Sequence, residues 1–129
     1  RALVFDAYGT LFDVYSVTAL CEELFPGHGT ALAQVWRAKQ LQYSLLRTLM
    51  DRYVDFWTIT GDALTYGAAS LGLVLTDDAR DRLMDAYSRL SVFADVHPAL
   101  ETLRDRGFRL AILSNGSPAM LDAAVRHAG

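Results

Sequence analysis

Two short polar stretches in this chain carry side chains able to do chemistry. The first, Asp6-Ala7-Tyr8-Gly9-Thr10, directly follows the apolar run ALVF. A carboxylate on a tight, glycine-containing turn can serve as nucleophile, metal ligand or base, or can simply cap the turn by accepting from backbone N–H groups. The second, Ser114-Asn115-Gly116-Ser117-Pro118, follows the run FRLAIL. It offers a hydroxyl, a carboxamide and the start of the next helix, whose outward N–H groups favour an anion. As ordinary turn residues, Ser114 and Asn115 need no such role. Open α/β sheets gather ligand sites at the carboxyl ends of their strands, so two such loops point to a site more strongly than either alone.

Both apolar runs lack alternation and read as buried parallel strands. Before the second strand, residues 98–106 predict a helix that Gly107 stops. After it, Ser117 caps a helix whose first position is Pro118. Helix, strand, loop, helix is the alternation of an α/β fold. The intervening residues predict only helices. Residues 16–25 form one, Pro26-Gly27-His28-Gly29 breaks it, and Thr30 opens a long one. Its apolar stripe is Leu32, Val35, Trp36, Tyr43, Leu46 and Met50. Residues 62–71 and 78–90 follow, the latter capped by Thr76-Asp77. A core of residues 1–13 and 94–129, with a helical block of residues 14–93 inserted in it, is therefore expected.

The 129 residues carry 12 Lys+Arg against 15 Asp+Glu, a net charge of −3, so no basic surplus marks a nucleic-acid binder. The apolar share of 52% suffices for a core and excludes a disordered segment. No apolar run is long enough to span a membrane, and no charged-then-apolar leader opens the chain. Cys21 stands alone, which rules out an internal disulfide and fits a reducing, cytoplasmic setting. His28, His97 and His127 are scattered without acidic partners at ligand spacing, so no metal site is expected. Cys21, Trp36 and Trp57 read as packing residues, and Arg80-Asp81-Arg82 as a solvated helix face. The chain starts at Arg1, already in strand-like sequence, and shows only two strands; a portion of a longer chain, with the C-terminal part of the core missing, is the expectation.

Val4-Phe5-Asp6-Ala7-Tyr8-Gly9-Thr10-Leu11-Phe12-Asp13 resembles the first motif of the haloacid dehalogenase superfamily, and Leu113-Ser114-Asn115-Gly116 its second. Trp36-Arg37-Ala38-Lys39-Gln40-Leu41-Gln42-Tyr43 and Leu49-Met50-Asp51-Arg52-Tyr53-Val54-Asp55-Phe56 resemble the cap helices of the L-2-haloacid dehalogenases. The resemblance runs the length of the chain. It implies a Rossmann-like parallel-sheet core with an inserted helical-bundle cap. It also implies hydrolysis of short L-2-haloalkanoic acids through an ester on Asp6, without metal or cofactor. By the same resemblance Thr10 holds Asp6, and Arg37 and Asn115 receive the halide. Ser114 and the N–H groups of Ala7 and Tyr8 would bind the substrate carboxylate, with Leu41 and Phe56 as apolar wall. A homodimer packed through the cap is implied too. The family's lysine, later serine and asparagine, and further aspartate would fall beyond Gly129. Ala38 departs from the polar residue that relatives often carry.

One position separates the branches on chemical grounds. Phosphatases of the superfamily carry a second Asp two residues after the nucleophile, as acid for the leaving alkoxide. Here that place holds Tyr8, a weaker proton donor, and halide needs no proton to leave. Arg37, beside the core stripe with Gln34, Leu41 and Leu45 at its helical spacings, puts a permanent positive charge at the edge of an apolar face. On residue type alone it would be a surface cation. The competing readings are a magnesium-dependent phosphatase-like hydrolase and a non-catalytic binding module.

Overall fold

The computed structural model describes all 129 residues. β1 (Ala2–Phe5) and β2 (Arg109–Ile112) pair in parallel, with Ala2 opposite Arg109 and Phe5 opposite Ile112. The Leu113 N–H donates to the Phe5 carbonyl at 2.9 Å and extends the pairing to the mouths of both polar loops. A parallel pair requires a crossover. Residues 6–108 supply it, as a 3-10 turn (Val14–Val17) followed by α1 (Thr18–Leu24), α2 (Gly29–Leu49), α3 (Phe56–Ser70), α4 (Asp77–Tyr87) and α5 (Val96–Asp105). α6 (Pro118–Ala128) follows β2.

The strands are parallel as expected, but not buried on both faces. Burial alternates along each, and Val4 is 60% exposed. α5 and α6 stand over the face that carries Phe5 and Ile112, and no element of this chain covers the face that carries Val4.

Side-chain caps start three of the six helices. The Ser117 hydroxyl accepts from the Met120 N–H at 3.3 Å, with Pro118 in the first turn, and Thr76 accepts from Ala79 at 3.2 Å. α3 starts at Phe56 rather than at residue 62, because the Asp55 carboxylate caps it by accepting from the Thr58 N–H at 2.7 Å. The β-branched Thr58-Ile59-Thr60 hides that first turn, since such residues are poor helix formers by themselves. α4 ends at Tyr87, short of residue 90. The α1–α2 break is organised by Glu22, whose carboxylate accepts from the N–H groups of Gly27 and Gly29. Those two bonds hold its carboxyl below the ordinary range.

α2 packs along α1 and α3, burying Leu32 and Trp36. At Gly67 of α3 a side-chain carbon would lie 3.4 Å from Leu32 Cδ1 and 3.6 Å from the Trp36 N, so the two helices meet at backbone distance. Leu46 and Met50 of the anticipated stripe are exposed. Trp57 lies 37% exposed rather than packed, and Arg80 lies half-buried over Gly61 rather than fully solvated. Cys21 is fully buried. The two crossings between the helical block and the sheet run antiparallel: Asp13 N–H donates to Ser91 O at 2.8 Å, and Phe93 N–H to Leu11 O at 3.3 Å. No helix is long and apolar enough to cross a membrane.

Candidate active site

β1 delivers Asp6 to the sheet's carboxyl end, and the chain then turns sharply. The Ala7 carbonyl accepts from the N–H groups of Leu11 and Phe12 at 2.9 and 3.0 Å, which closes the turn. Gly9 sits at φ 96°, a backbone conformation that favours glycine. A side-chain carbon there would also lie 3.3 Å from Arg37 Nη2. Asp6 is exposed, and its Oδ2 accepts from the Thr10 hydroxyl at 3.2 Å. The N–H groups of Ala7 and Tyr8 donate to no other group of the chain. The turn therefore presents two free donors beside a carboxylate.

α2 brings Arg37 onto this turn. Its Nη2 donates to the Tyr8 carbonyl at 2.9 Å and its Nη1 to Gln40 Oε1 at 2.8 Å. The chain's four ion pairs belong to Arg47, Arg82, Arg89 and Arg104, so Arg37 has no carboxylate partner. Its outward neighbours Leu41 and Leu45 are exposed, and its inward neighbours are Trp36 and Gln40. This cation is half-buried and held by neutral groups only.

Tyr8 seals the floor. Only 5% exposed, its ring lies 6.0 Å from Phe12, 5.8 Å from Phe56 and 5.7 Å from Tyr87, stacked on the last. Burial, helped by the neighbouring Tyr87, pushes its phenol up to about 12. A group that holds its proton so firmly cannot act as general acid near neutrality. Tyr87 is raised for the same first reason, burial, and Cys21 is pushed up to about 11 by burial.

Tyr8 and Cys21 bind protons more tightly folded than unfolded. Their contribution to stability is complete below about pH 9 and is lost as the pH rises through 12. Denaturant unfolding is expected to give a falling midpoint across that window, with a shallower fall in Tyr8→Phe.

The second loop meets the first at Gly116. A side-chain carbon there would lie 2.8 Å from Tyr8 Cε2 and 3.4 Å from Leu121 Cδ2. The Tyr8 ring is wedged among three aromatics and cannot retreat. Gly116→Ala is therefore expected to destabilise the protein by about 1–3 kcal/mol, read by thermal unfolding. Ser114 is half-buried, and its Oγ accepts from the Gly116 N–H at 3.1 Å. Asn115 is exposed, makes no side-chain hydrogen bond within the chain, and lines a cavity of about 70 Å³ with Phe56, Ser44 and Arg47. Phe56 is buried and touches both sides, Tyr8 and this cavity.

The structure thus brings together Asp6, Ala7, Tyr8, Thr10 and Arg37 at one strand end, with Phe56, Ser114 and Asn115 adjoining through Tyr8 and Gly116. Leu41 stands apart, 49% exposed and outside the wall of the small cavity. Sequence reasoning passed over Gln40, Thr60 and Tyr87, which support Arg37 from inside the helical block. One signal could have found Gln40: it falls one turn after Trp36 on the buried stripe, where a polar residue is out of place.

A family model described as haloacid dehalogenase-like hydrolase matches residues 1–129. The chain is 52% identical, over 129 residues, to the (S)-2-haloacid dehalogenase of Pseudomonas sp. (strain YL), covering 100% of this chain and 56% of that one. Among solved structures, an L-2-haloacid dehalogenase superposes with a TM-score of 0.96 at 51% identity, covering 100% of this chain and 59% of its own. The L-2-haloacid dehalogenase from Xanthobacter autotrophicus with chloropropionic acid covalently bound superposes with a TM-score of 0.92 at 48% identity, covering 100% and 52%. The chain spans about half the length of the curated relatives it matches.

Proposed function

The chain belongs to the haloacid dehalogenase-like hydrolases, and on that premise we propose that the protein hydrolyses short L-2-haloalkanoic acids to D-2-hydroxy acids and halide. The observation that carries this reading is Arg37: an uncompensated cation that a helix of the inserted block lays on the turn after Asp6. We assign residues 14–93 to a cap over a core of residues 1–13 and 94–129.

In the first step an Asp6 carboxylate oxygen bonds to C2 from the side opposite the halogen. The carbon–halogen bond breaks, and halide leaves with the electron pair. Arg37 and the free amide of Asn115 take up that charge. Ser114 and the unpartnered N–H groups of Ala7 and Tyr8 hold the substrate carboxylate, while Thr10 orients Asp6 through its 3.2 Å bond. Phe56, with Leu41 one turn beyond Arg37 on α2, supplies apolar wall.

Water then adds to the ester carbonyl carbon of Asp6, not to C2. The acyl C–O bond to the substrate oxygen breaks, that oxygen takes up a proton from the water as the hydroxy acid leaves, and Asp6 is regenerated carrying the water oxygen. One displacement inverts C2 once. Tyr8 takes no proton-transfer role, in keeping with its firmly held proton, and halide requires none.

The test is single turnover of the full-length enzyme on L-2-chloropropionate in H₂¹⁸O, beside p-nitrophenyl phosphate with and without chelator. Chloride release, an inverted product and ¹⁸O in Asp6 are expected. Phosphate release lost on chelation, with no chloride, would establish the phosphatase-like reading instead.

The exposed apolar row Leu45, Leu46, Leu49 and Met50 at the end of α2 supports a homodimer formed through the cap. Leu45→Lys with Leu49→Lys is expected to shift the sedimenting species from dimer to monomer; a wild-type monomer would refute the assembly.

A further inference from the structure

We infer that Gln40 is a positioning residue for Arg37: a buried carboxamide that holds the guanidinium on the Asp6 turn and is itself set the right way round by Thr60. The inference rests on reading Arg37 as halide acceptor.

Gln40 is 0% exposed, on the inner side of α2. Its orientation follows from one proton. The Thr60 hydroxyl has a single hydrogen and donates it to the Phe56 carbonyl at 2.6 Å. It can therefore only accept from Gln40, and Gln40 Nε2 donates to it at 2.7 Å. The carboxamide oxygen must then face the other way, where it accepts from Arg37 Nη1 at 2.8 Å and from the Tyr87 hydroxyl at 2.9 Å. Trp36 Nε1 donates to the Thr60 carbonyl at 2.8 Å and fixes that stretch of α3 against α2.

The planar guanidinium is thus gripped at both arms, by Gln40 on one and by the Tyr8 carbonyl on the other. Two anchors set both its place and its rotation, where one would leave it free to swing. Both are neutral. A carboxylate would hold Arg37 more firmly, but it would cancel the charge that a departing halide needs. α2, α3 and α4 each contribute a member, so packing within the cap places a cation that acts on the core.

A role confined to filling the interior would lower stability without favouring one substrate over another. A positioning role predicts more: the poorer leaving group suffers most, because it depends most on the waiting cation. The experiment is single-turnover halide release by the full-length enzyme from L-2-chloropropionate and L-2-iodopropionate, with thermal unfolding recorded for each variant. Gln40→Glu keeps the oxygen but adds a compensating charge, and Thr60→Val removes the hydroxyl at nearly constant volume. Each is expected to slow the chloride step by about tenfold or more, and the iodide step by clearly less, with KM little changed. Thr60→Ser, which keeps the hydroxyl, is expected to recover most of the rate. Should Gln40→Glu fail to fold, the Thr60→Val and Thr60→Ser pair decides. Equal losses on both substrates, or none, in variants that unfold at the wild-type temperature would overturn the inference. A wild-type enzyme that releases neither halide would overturn the dehalogenase reading itself.

Discussion

Asp6→Asn is expected to lower halide release by roughly ten-thousand-fold or more, the scale on which loss of a covalent nucleophile acts. The carboxamide is uncharged and its oxygen a poor nucleophile, so the bond to C2 does not form and no later step can begin. The structure makes this a clean test. Asp6 is exposed, and its side chain has a single hydrogen-bond partner, the Thr10 hydroxyl at 3.2 Å, with which Asn can still pair. The thermal midpoint is therefore expected to stay near wild type, since substitutions at such sites stay within about 0.5 kcal/mol. Halide release measured beside unfolding separates the chemical loss from a folding loss. An Asn variant that releases chloride at the parent rate would remove Asp6 from the mechanism and favour a binding module.

The second large effect is expected at Arg37, and it differs in kind. Arg37→Lys keeps the charge but not the fork, and one ammonium on a flexible stem cannot meet both the Tyr8 carbonyl and Gln40 Oε1 as Arg37 does at 2.9 and 2.8 Å. Halide release is expected to fall by about 100- to 1,000-fold, the range found when one preorganised donor to a developing anion is lost. Arg37→Met removes the charge and should fall further. Unlike Asp6→Asn, both are expected to reduce stability by about 1–3 kcal/mol, because acceptors in a buried setting lose their donor. Measuring kcat with denaturant unfolding in the same variants tests the pair. Full stability with lost activity would show that the two bonds hold nothing in place, and full activity would remove the cation from the reaction.

Different parts of the site were legible for different reasons. Asp6, Thr10 and the Ser114-Asn115 loop announce themselves because strand, polar turn and helix start follow one another along the chain, and local order is what a sequence displays. Arg37 was a surface cation on residue type alone and became a site residue only through the resemblance carried by its neighbours. The start of α3 was missed because an Asp55 cap offset three β-branched residues. Trp57, expected to pack, is 37% exposed. The exposed face of the sheet around Val4 follows from what this chain does not lay over it, and no apolar run can report that.

The sequence by itself determined the α/β alternation, the run of helices between the two strands, the helix caps at Ser117 and Thr76, and the presence of a carboxylate at the end of β1, because each depends on residues near one another in the chain. Tertiary structure alone decided what surrounds that carboxylate. The Tyr8 ring meets Gly116 across the sheet's edge, and Arg37 meets the Tyr8 carbonyl from a helix 29 residues away. Gln40, Thr60 and Tyr87 converge from three helices. Such contacts arise from the packing of whole elements. A hydrogen bond between residues far apart leaves no mark on the spacing of either, so the charge of Arg37 could be read from the chain but its place could not.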